Sequence, residues 1–272
     1  MEYKNQTSLI SNKVFYYTCD KNKESIIKQS NFDGKMILIL HNIYLLNNKT
    51  GKTVLTPAFL LKKMGYKIIP KNLTLCIDLL KLLRLEEYIK YDDVVIKKNT
   101  LLEINIEKML DHDEHGYHNF FKLDEEEINI IKINTSNNRE FINQLKVYCY
   151  LKARVRKINS SKSISERFGG ESETTWRTYQ DIQEHTGVSD VTKAISNLKI
   201  IGLIQYINIG CKYKKTDINK KRLNCNNIYA LTKVSKDVCE ELKEGAKQYF
   251  YYEEKNGYKI ITNLNENYKR DI

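Results

Sequence analysis

One order of elements occurs twice in this chain, and a chain that repeats it has few folds open to it. The first copy begins with an apolar helix over 35–46 and a polar turn over 47–51. A second helix follows over 56–64, with Thr56 as N-cap and Pro57 at the first position, where a missing N–H and a fixed φ suit helix entry. Gly65 ends it, and a third helix covers 71–84. Two alternating segments, 88–96 and 101–106, read as a β-hairpin across Lys97-Lys98-Asn99.

The second copy has cleaner signals. A helix spans 139–156, and a basic, Gly-containing loop covers 157–174. The next helix runs from Tyr179 to His185 after Thr178. Beyond the turn Thr186-Gly187-Val188, Ser189 caps a helix that reaches Ile201 and stops at Gly202. A strand over 203–209, a basic loop and a strand over 227–232 complete the unit. Helix, helix, turn, helix and hairpin is the winged helix-turn-helix order. The expected fold class is therefore α+β, mainly α, with two tandem winged helix-turn-helix modules. The expected divisions are 1–107 for the first module, 108–118 for a polar linker, 119–232 for the second module and 233–272 for a carboxy-terminal helix and tail.

Charge separates the two copies. The net charge is +11, from 45 Lys and Arg against 34 Asp and Glu. Residues 1–135 hold 20 basic and 18 acidic residues, 136–232 hold 17 and 8, and 233–272 hold 8 and 8. Codon bias toward Lys enriches every segment alike, so a surplus confined to the middle-to-late segment marks an anion-binding module. The longest apolar run, Met36 to Leu40, falls far short of a bilayer span. Met1 to Lys13 is polar, unlike a secretory signal. The expectation is a cytoplasmic protein with no membrane partner and reduced cysteines.

Within the second module, Val191, Ala194, Ile195, Leu198 and Ile201 fall on one helix face at helical spacing. The other face carries Asp190, Thr192, Lys193, Ser196 and Asn197, short polar groups suited to base edges and phosphates. Any surface helix has two such faces; the turn spacing, the Gly202 stop and the following hairpin favour a reading helix. The candidate DNA-binding residues are Thr178, Ser189, Asp190, Thr192, Lys193, Ser196, Asn197 and Lys199 around this helix. Lys212, Lys214, Lys215, Lys220, Lys221 and Arg222 join them from the basic loop, read either as a groove-tracking wing or as a solvated loop. Arg154 and Arg156 open a second basic patch that continues through Lys157, Lys162 and Arg167.

The run Thr175-Trp176-Arg177-Thr178-Tyr179-Gln180-Asp181-Ile182, with Thr186-Gly187-Val188-Ser189 and Ile195-Ser196-Asn197-Leu198-Lys199-Ile200-Ile201-Gly202-Leu203-Ile204, resembles the winged helices of Firmicute plasmid and phage replication-initiation proteins. The first module resembles the amino-terminal winged helix of phage replisome organisers and primosomal loaders of the same bacteria. The resemblance covers about 34–107 and 119–232. It implies double-stranded DNA as a partner and a role beside other replication proteins. Many transcription regulators share such modules, so regulation of a mobile element is the alternative, and a non-catalytic interaction scaffold is a further one.

The first module differs in its third helix. Leu75, Cys76, Leu79, Leu82 and Leu83 make the core face, while Leu73, Ile77 and Leu80 form a second apolar stripe. Two stripes call for two packing partners, either a homodimer or docking contact, or cover from an amino-terminal strand over 14–18. Other features are decoys. Asn48-Lys49-Thr50-Gly51-Lys52-Thr53 imitates a nucleotide-binding loop, but the earlier glycine is replaced by Leu46. Asp111, His112, Asp113, His115 and His118 read as linker rather than metal ligands. Asp124 and Glu127 have capping-box spacing, and His185 reads as a helix-end residue. The tail carries an amphipathic helix over 235–252 and a short strand at Tyr258-Lys259-Ile260-Ile261, expected to pack on the second module or on a partner. No catalytic set stands out, so neither an enzyme nor a cofactor or metal is expected.

Overall fold

In the computed structural model the description covers residues 6–16, 23–47, 51–92, 95–106, 110–113, 116–155, 172–233, 237–262 and 264, with backbone alone at 112–113 and 116–118. The chain is mixed α/β, with helices set among small antiparallel sheets. It divides into two units. The first is Met1–Ala153 with His185–Val188, and the second is Arg154–Glu184 with Ser189–Ile272.

The first unit opens with strand β1 (Thr7–Ser11), a short 3-10 turn (Asn12–Val14) and helix α1 (Ile26–Gln29). Helix α2 (Lys35–Leu45) follows and is apolar nearly all round, burying Met36, Ile37, Leu38, Ile39, Leu40 and Ile43. His41 is buried with them, and its Nδ1 lies 2.7 Å from Ser8 Oγ. Burial pushes its pKa down to about 4, so the ring is neutral near pH 7. Strand β2 (Lys52–Leu55) leads to helix α3 (Pro57–Lys63), where Thr56 Oγ1 accepts from Phe59 N at 3.1 Å. Helix α4 (Pro70–Leu85) and strand β3 (Leu102–Asn105) complete this stretch.

The sequence-based hairpin is corrected here. β3 pairs antiparallel with β2, Leu55 opposite Leu102, while the 88–96 segment touches it through one bridge, Lys90 to Asn105. β2 and β3 each present buried residues on alternate positions, so they suit each other as two half-buried strands. Gly51-Lys52-Thr53 thus leads into a strand, and a nucleotide-binding loop requires a helix there. Residues 48–50 lie outside the described residues.

Strands β4 (Asp111–Asp113) and β5 (Gly116–His118) form a small hairpin where a linker was expected, and Lys13 pairs with Asp111. The His112, His115 and His118 side chains lie outside the described residues. Strand β6 (Phe120–Asp124) pairs with β1, Thr7 opposite Asp124, and runs directly into helix α5 (Glu125–Ile133). This junction is the expected capping box, with Glu127 Oε2 accepting from Asp124 N at 3.0 Å. The expected amino-terminal strand over 14–18 is displaced: the strand is β1, and 17–18 lie outside the described residues.

Helix α6 (Asn138–Arg154) is buried over most of its length, including Leu145, Val147, Tyr148, Tyr150 and Leu151. Glu127 and Lys152 are both buried and form an ion pair at 2.5 Å, with the Tyr148 hydroxyl donating to Glu127 Oε1 at 2.5 Å. Phe15, Phe121 and Tyr150 cluster in the same unit, and His185 stacks on Tyr150 at 5.1 Å. His185 is therefore a ring contact of this unit, beyond the helix-end role expected. These contacts move the boundary. The residues 119–153, expected in the second module, belong to the first unit because β6 is bonded to β1 and α6 is packed into the same core.

The second unit contains strand β7 (Thr174–Arg177), helix α7 (Tyr179–Thr186) up to Glu184, helix α8 (Val191–Ile200), and strands β8 (Ile204–Asn208), β9 (Cys211–Lys214), β10 (Leu223–Asn224) and β11 (Asn227–Leu231). Helix α9 (Val238–Lys255) and strand β12 (Tyr258–Ile261) follow. One sheet has the order β7-β11-β8 and another the order β10-β9-β12, all antiparallel. On β11, Ile228 and Ala230 face a core built with Leu242, Ala246 and Tyr249 of α9. Tyr229 alternates to the other face, with its ring 5.7 Å from Tyr206. α9 and β12 thus pack on this unit, one of the two placements expected for the tail.

A test of the first core follows from its ion pair. Glu127→Leu leaves the Lys152 ammonium buried without a counter-charge and should cost about 3–5 kcal/mol in urea unfolding, with most recovered in Glu127→Leu/Lys152→Met. A cost under about 1 kcal/mol for the single variant would refute the account.

Candidate nucleic-acid interface

The candidate residues of the second unit are set by caps at two helix starts. Thr178 Oγ1 accepts from Asp181 N at 3.0 Å and opens α7. Four residues separate α7 from α8, and Asp190 Oδ1 accepts from Lys193 N at 3.0 Å. Asp190 is therefore the N-cap of α8, where Ser189 was expected. Its carboxylate suits the positive end of the helix and is a structural group rather than a phosphate contact. Gly202, with φ 75°, closes the helix as its N–H bonds Lys199 O at 3.0 Å.

Between these caps α8 buries Val191, Ala194, Ile195 and Leu198. Thr192, Lys193, Ser196 and Lys199 are exposed and Asn197 is half-buried. The Lys199 ammonium stands 5.0 Å over the Tyr206 ring, which ties the end of the exposed face to β8. Ser189 is exposed beside this face.

Beyond β8 the chain continues through Gly210 into β9. Gly210 has φ 105°, and a Cβ there would lie 2.5 Å from Ile261 O, so the close approach of β12 requires glycine. β12 lies along β9, Tyr258 opposite Lys214 and Ile260 opposite Lys212. This third strand removes Lys212 from the candidate list. Its Nζ is 2.5 Å from the buried Glu253 carboxylate of α9 and 4.7 Å from the Tyr258 ring centroid. The positive charge of Lys212 is used inside the unit. Lys214, Lys215, Lys220, Lys221 and Arg222 are exposed around the loop between β9 and β10. Arg154 is half-buried at the end of α6. Arg156, with Lys157, Lys162 and Arg167 of the second patch, lies outside the described residues.

An open groove of about 700 Å³ lies between the start of α7 and the base of this loop. Thr178, Gln180, Asn208, Arg222, Asn224 and Asn227 line it. The side chain of Asn208 donates to Asn227 Oδ1 at 3.0 Å, and that of Asn227 donates to the Tyr229 hydroxyl at 3.1 Å. Burial raises the pKa of Tyr179, and burial pushes the Cys225 thiol up to about 11, so both are protonated near pH 7. Amides, a guanidinium and the amino end of a helix make a groove suited to a phosphate or a base edge. Gln180, Asn208, Asn224 and Asn227 were missed in the sequence; strand-end Asn residues beside a basic loop are the signal that points to the three asparagines, and nothing near Gln180 singles it out. Among the described residues, no three His, Cys, Asp or Glu side chains gather to hold a metal ion. Nor is any helix among them long and apolar enough to cross a membrane.

No known family model, curated protein or solved structure matches this chain.

The frame behind these residues rests on α9. Trp176 is the single tryptophan of the chain, and its ring meets Tyr249 at 5.4 Å and Tyr252 at 5.7 Å, both on α9. Gly245 lets α9 lie against the sheet: a Cβ there would lie 2.6 Å from Thr174 Oγ1 and 3.1 Å from Ile228 Cγ2. Gly245→Val should lower stability by about 1–3 kcal/mol and shift Trp176 emission to the red as α9 lifts. An unchanged spectrum and unfolding midpoint would contradict this packing.

Proposed function

We propose that the second unit is a winged helix-turn-helix module that binds double-stranded DNA in a sequence-specific way. The observation that carries this reading is the exposed face of α8, with Thr192, Lys193, Ser196, Asn197 and Lys199, preceded by α7 across a short turn and followed by a cationic hairpin loop. In this reading α8 enters the major groove, and Lys214, Lys215, Lys220, Lys221 and Arg222 follow the flanking backbone. The sheet order β7-β11-β8 supports it, because the strand before α7 pairs with the last strand of the hairpin.

The first unit supplies a partial parallel: β2, α3, α4 and β3 follow the order of β7, α7, α8 and β11, and β2 pairs with β3 as β7 pairs with β11. This supports two tandem winged-helix modules. α4 buries Cys76, Leu79, Leu80 and Leu83, so Leu80 of the expected second stripe lies in the core. Leu73 and Ile77 are half-buried, as are Leu75 and Leu82 of the expected core face. A protein contact at Leu73 and Ile77, with a second copy or a replication protein, is proposed for this helix rather than base reading. The biological role proposed is initiation of replication of a plasmid or phage-type element. Regulation of transcription in such an element is the alternative that the binding site itself will distinguish.

The test is affinity selection from random and genomic duplex fragments at near-physiological salt, followed by titration of the selected fragments. A fragment bound at least about a thousandfold more tightly than bulk DNA supports specific recognition. An array of direct repeats then favours replication, and one promoter palindrome favours regulation. Uniform weak binding that vanishes with salt overturns the proposal in favour of an interaction scaffold.

Two sets of variants sharpen this. Lys193→Ala with Asn197→Ala should lose about 1–3 kcal/mol of discrimination per base read while keeping salt-sensitive binding; unchanged discrimination removes α8 from the reading role. Replacing Lys214, Lys215, Lys220 and Lys221 with Ala should weaken binding to all sequences and flatten the salt slope by roughly 0.9 for each phosphate left unneutralised; an unaltered slope returns the loop to solvent.

A further inference from the structure

Ile218 is 95% exposed at the tip of the loop between β9 and β10. An isoleucine in water contributes nothing to the core, and polar residues serve a tight turn better. Along the loop it is flanked by exposed cations, Lys215 before it and Lys220, Lys221 and Arg222 after it. That combination, one fully exposed apolar side chain within a run of exposed cations, requires an account that the fold does not supply.

The turn that carries it is ordered. Asp217 N donates to Lys214 O at 3.1 Å, and Lys220 N donates back to Asp217 O at 3.1 Å. The Asp217 carboxylate accepts from Asn219 N at 3.0 Å and from Lys221 N at 3.1 Å. The only acid of the loop thus spends its charge on backbone N–H groups inside the turn and leaves the cations to face outward. Behind the turn, β9 is bonded on one edge to β10 and on the other to β12, and Lys215 N bonds Gly257 O at 2.9 Å. Ile218 therefore stands at the end of a braced, three-stranded support.

We propose that Ile218 is a wedge that enters the minor groove of bound duplex DNA and inserts between neighbouring base pairs, opening the stack and bending the helix. This rests on the reading of the second unit as a duplex-binding module. Phosphates offer an isoleucine no attraction, whereas the faces of stacked bases are the apolar surface that a duplex holds. Apolar side chains inserted from the minor groove kink DNA by about 20–90° toward the major groove, and the unstacking cost is offset by the additional surface brought together. The flanking cations meet the phosphates on either side of the opened step. Pyrimidine–purine steps unstack most readily, so the wedge adds a preference for TA or CA under the loop without any hydrogen bond to a base.

The experiment uses the full chain and a duplex recovered by selection from a random-sequence pool. Dyes at the two ends report bending, and 2-aminopurine, moved step by step across the bases flanking the α8 footprint, reports unstacking. The wild-type protein should shorten the end-to-end distance and raise 2-aminopurine fluorescence at one step. Ile218→Ser should abolish both signals with an affinity loss of less than about tenfold, and Ile218→Met should restore them. Because the side chain is exposed, the melting temperature of the variants should match that of the wild type. A wild-type complex in which the duplex stays straight and stacked, or an Ile218→Ser complex bent as strongly as wild type, overturns the wedge and leaves DNA binding intact. A chain that retards no duplex in the same titration overturns the DNA-binding reading itself, and the wedge with it.

Discussion

Strand β11 has no free edge. It is bonded to β7 on one side and to β8 on the other, and none of its five residues is exposed. The rest of the second unit depends on that position. β7 delivers the chain to α7, β8 receives it from α8, and Ile228 and Ala230 hold α9 against the opposite side. A central strand bonded on both edges fixes register, since a one-residue slip would turn Ile228 and Ala230 away from α9 and place Tyr229 among its side chains. The helix start at Thr178 and the departure of β9 beyond Asn208 are consequently held at a set spacing, and the groove between them is a product of the sheet.

The first unit is held by a different device. Glu127 closes the capping box of α5 and accepts hydrogen bonds from Lys152 and Tyr148 of α6, so one carboxylate joins the end of β6 to two helices. Such a group tolerates burial because its oxygens are used on several donors. The acidic run Asp124 to Glu127 is thereby structural chemistry, as its spacing suggests.

How much of this is legible in the sequence depends on how far apart the interacting residues lie. Thr56 with Pro57, Asp124 with Glu127, and Thr178 act on backbone groups within a few positions, and their roles can be read directly. The buried and exposed faces of α8 follow from helical periodicity alone, so most of the candidate interface is readable. The α8 cap falls one residue from the expected position because Ser189 and Asp190 are both good N-cap residues. Pairing partners are another matter, since alternation tells which face is buried and not what covers it. Thr7 meets Asp124 across 117 positions, and Lys212 finds Glu253 across 41. Nothing near Lys212 marks it as different from Lys214. α6 carries apolar residues on most of its circumference, so its periodicity names no partner, and its assignment to the first unit comes only from its packing against distant segments.

The arrangement of β9 between β10 and β12 also has a consequence during synthesis. β10 follows β9 closely, whereas β12 lies beyond the whole of α9. At about 5–20 residues per second, the second edge of β9 waits several seconds on the ribosome for its partner. An uncovered strand edge is a template for pairing with another chain, and lysine is among the residues that discourage it. β9 alternates Cys211, Lys212, Tyr213 and Lys214, so both lysines project on the same side. A lysine at position 212 is thus suited to discouraging wrong pairing while that edge is open, and in the folded unit β12 closes the edge and Lys212 becomes the counter-ion of Glu253.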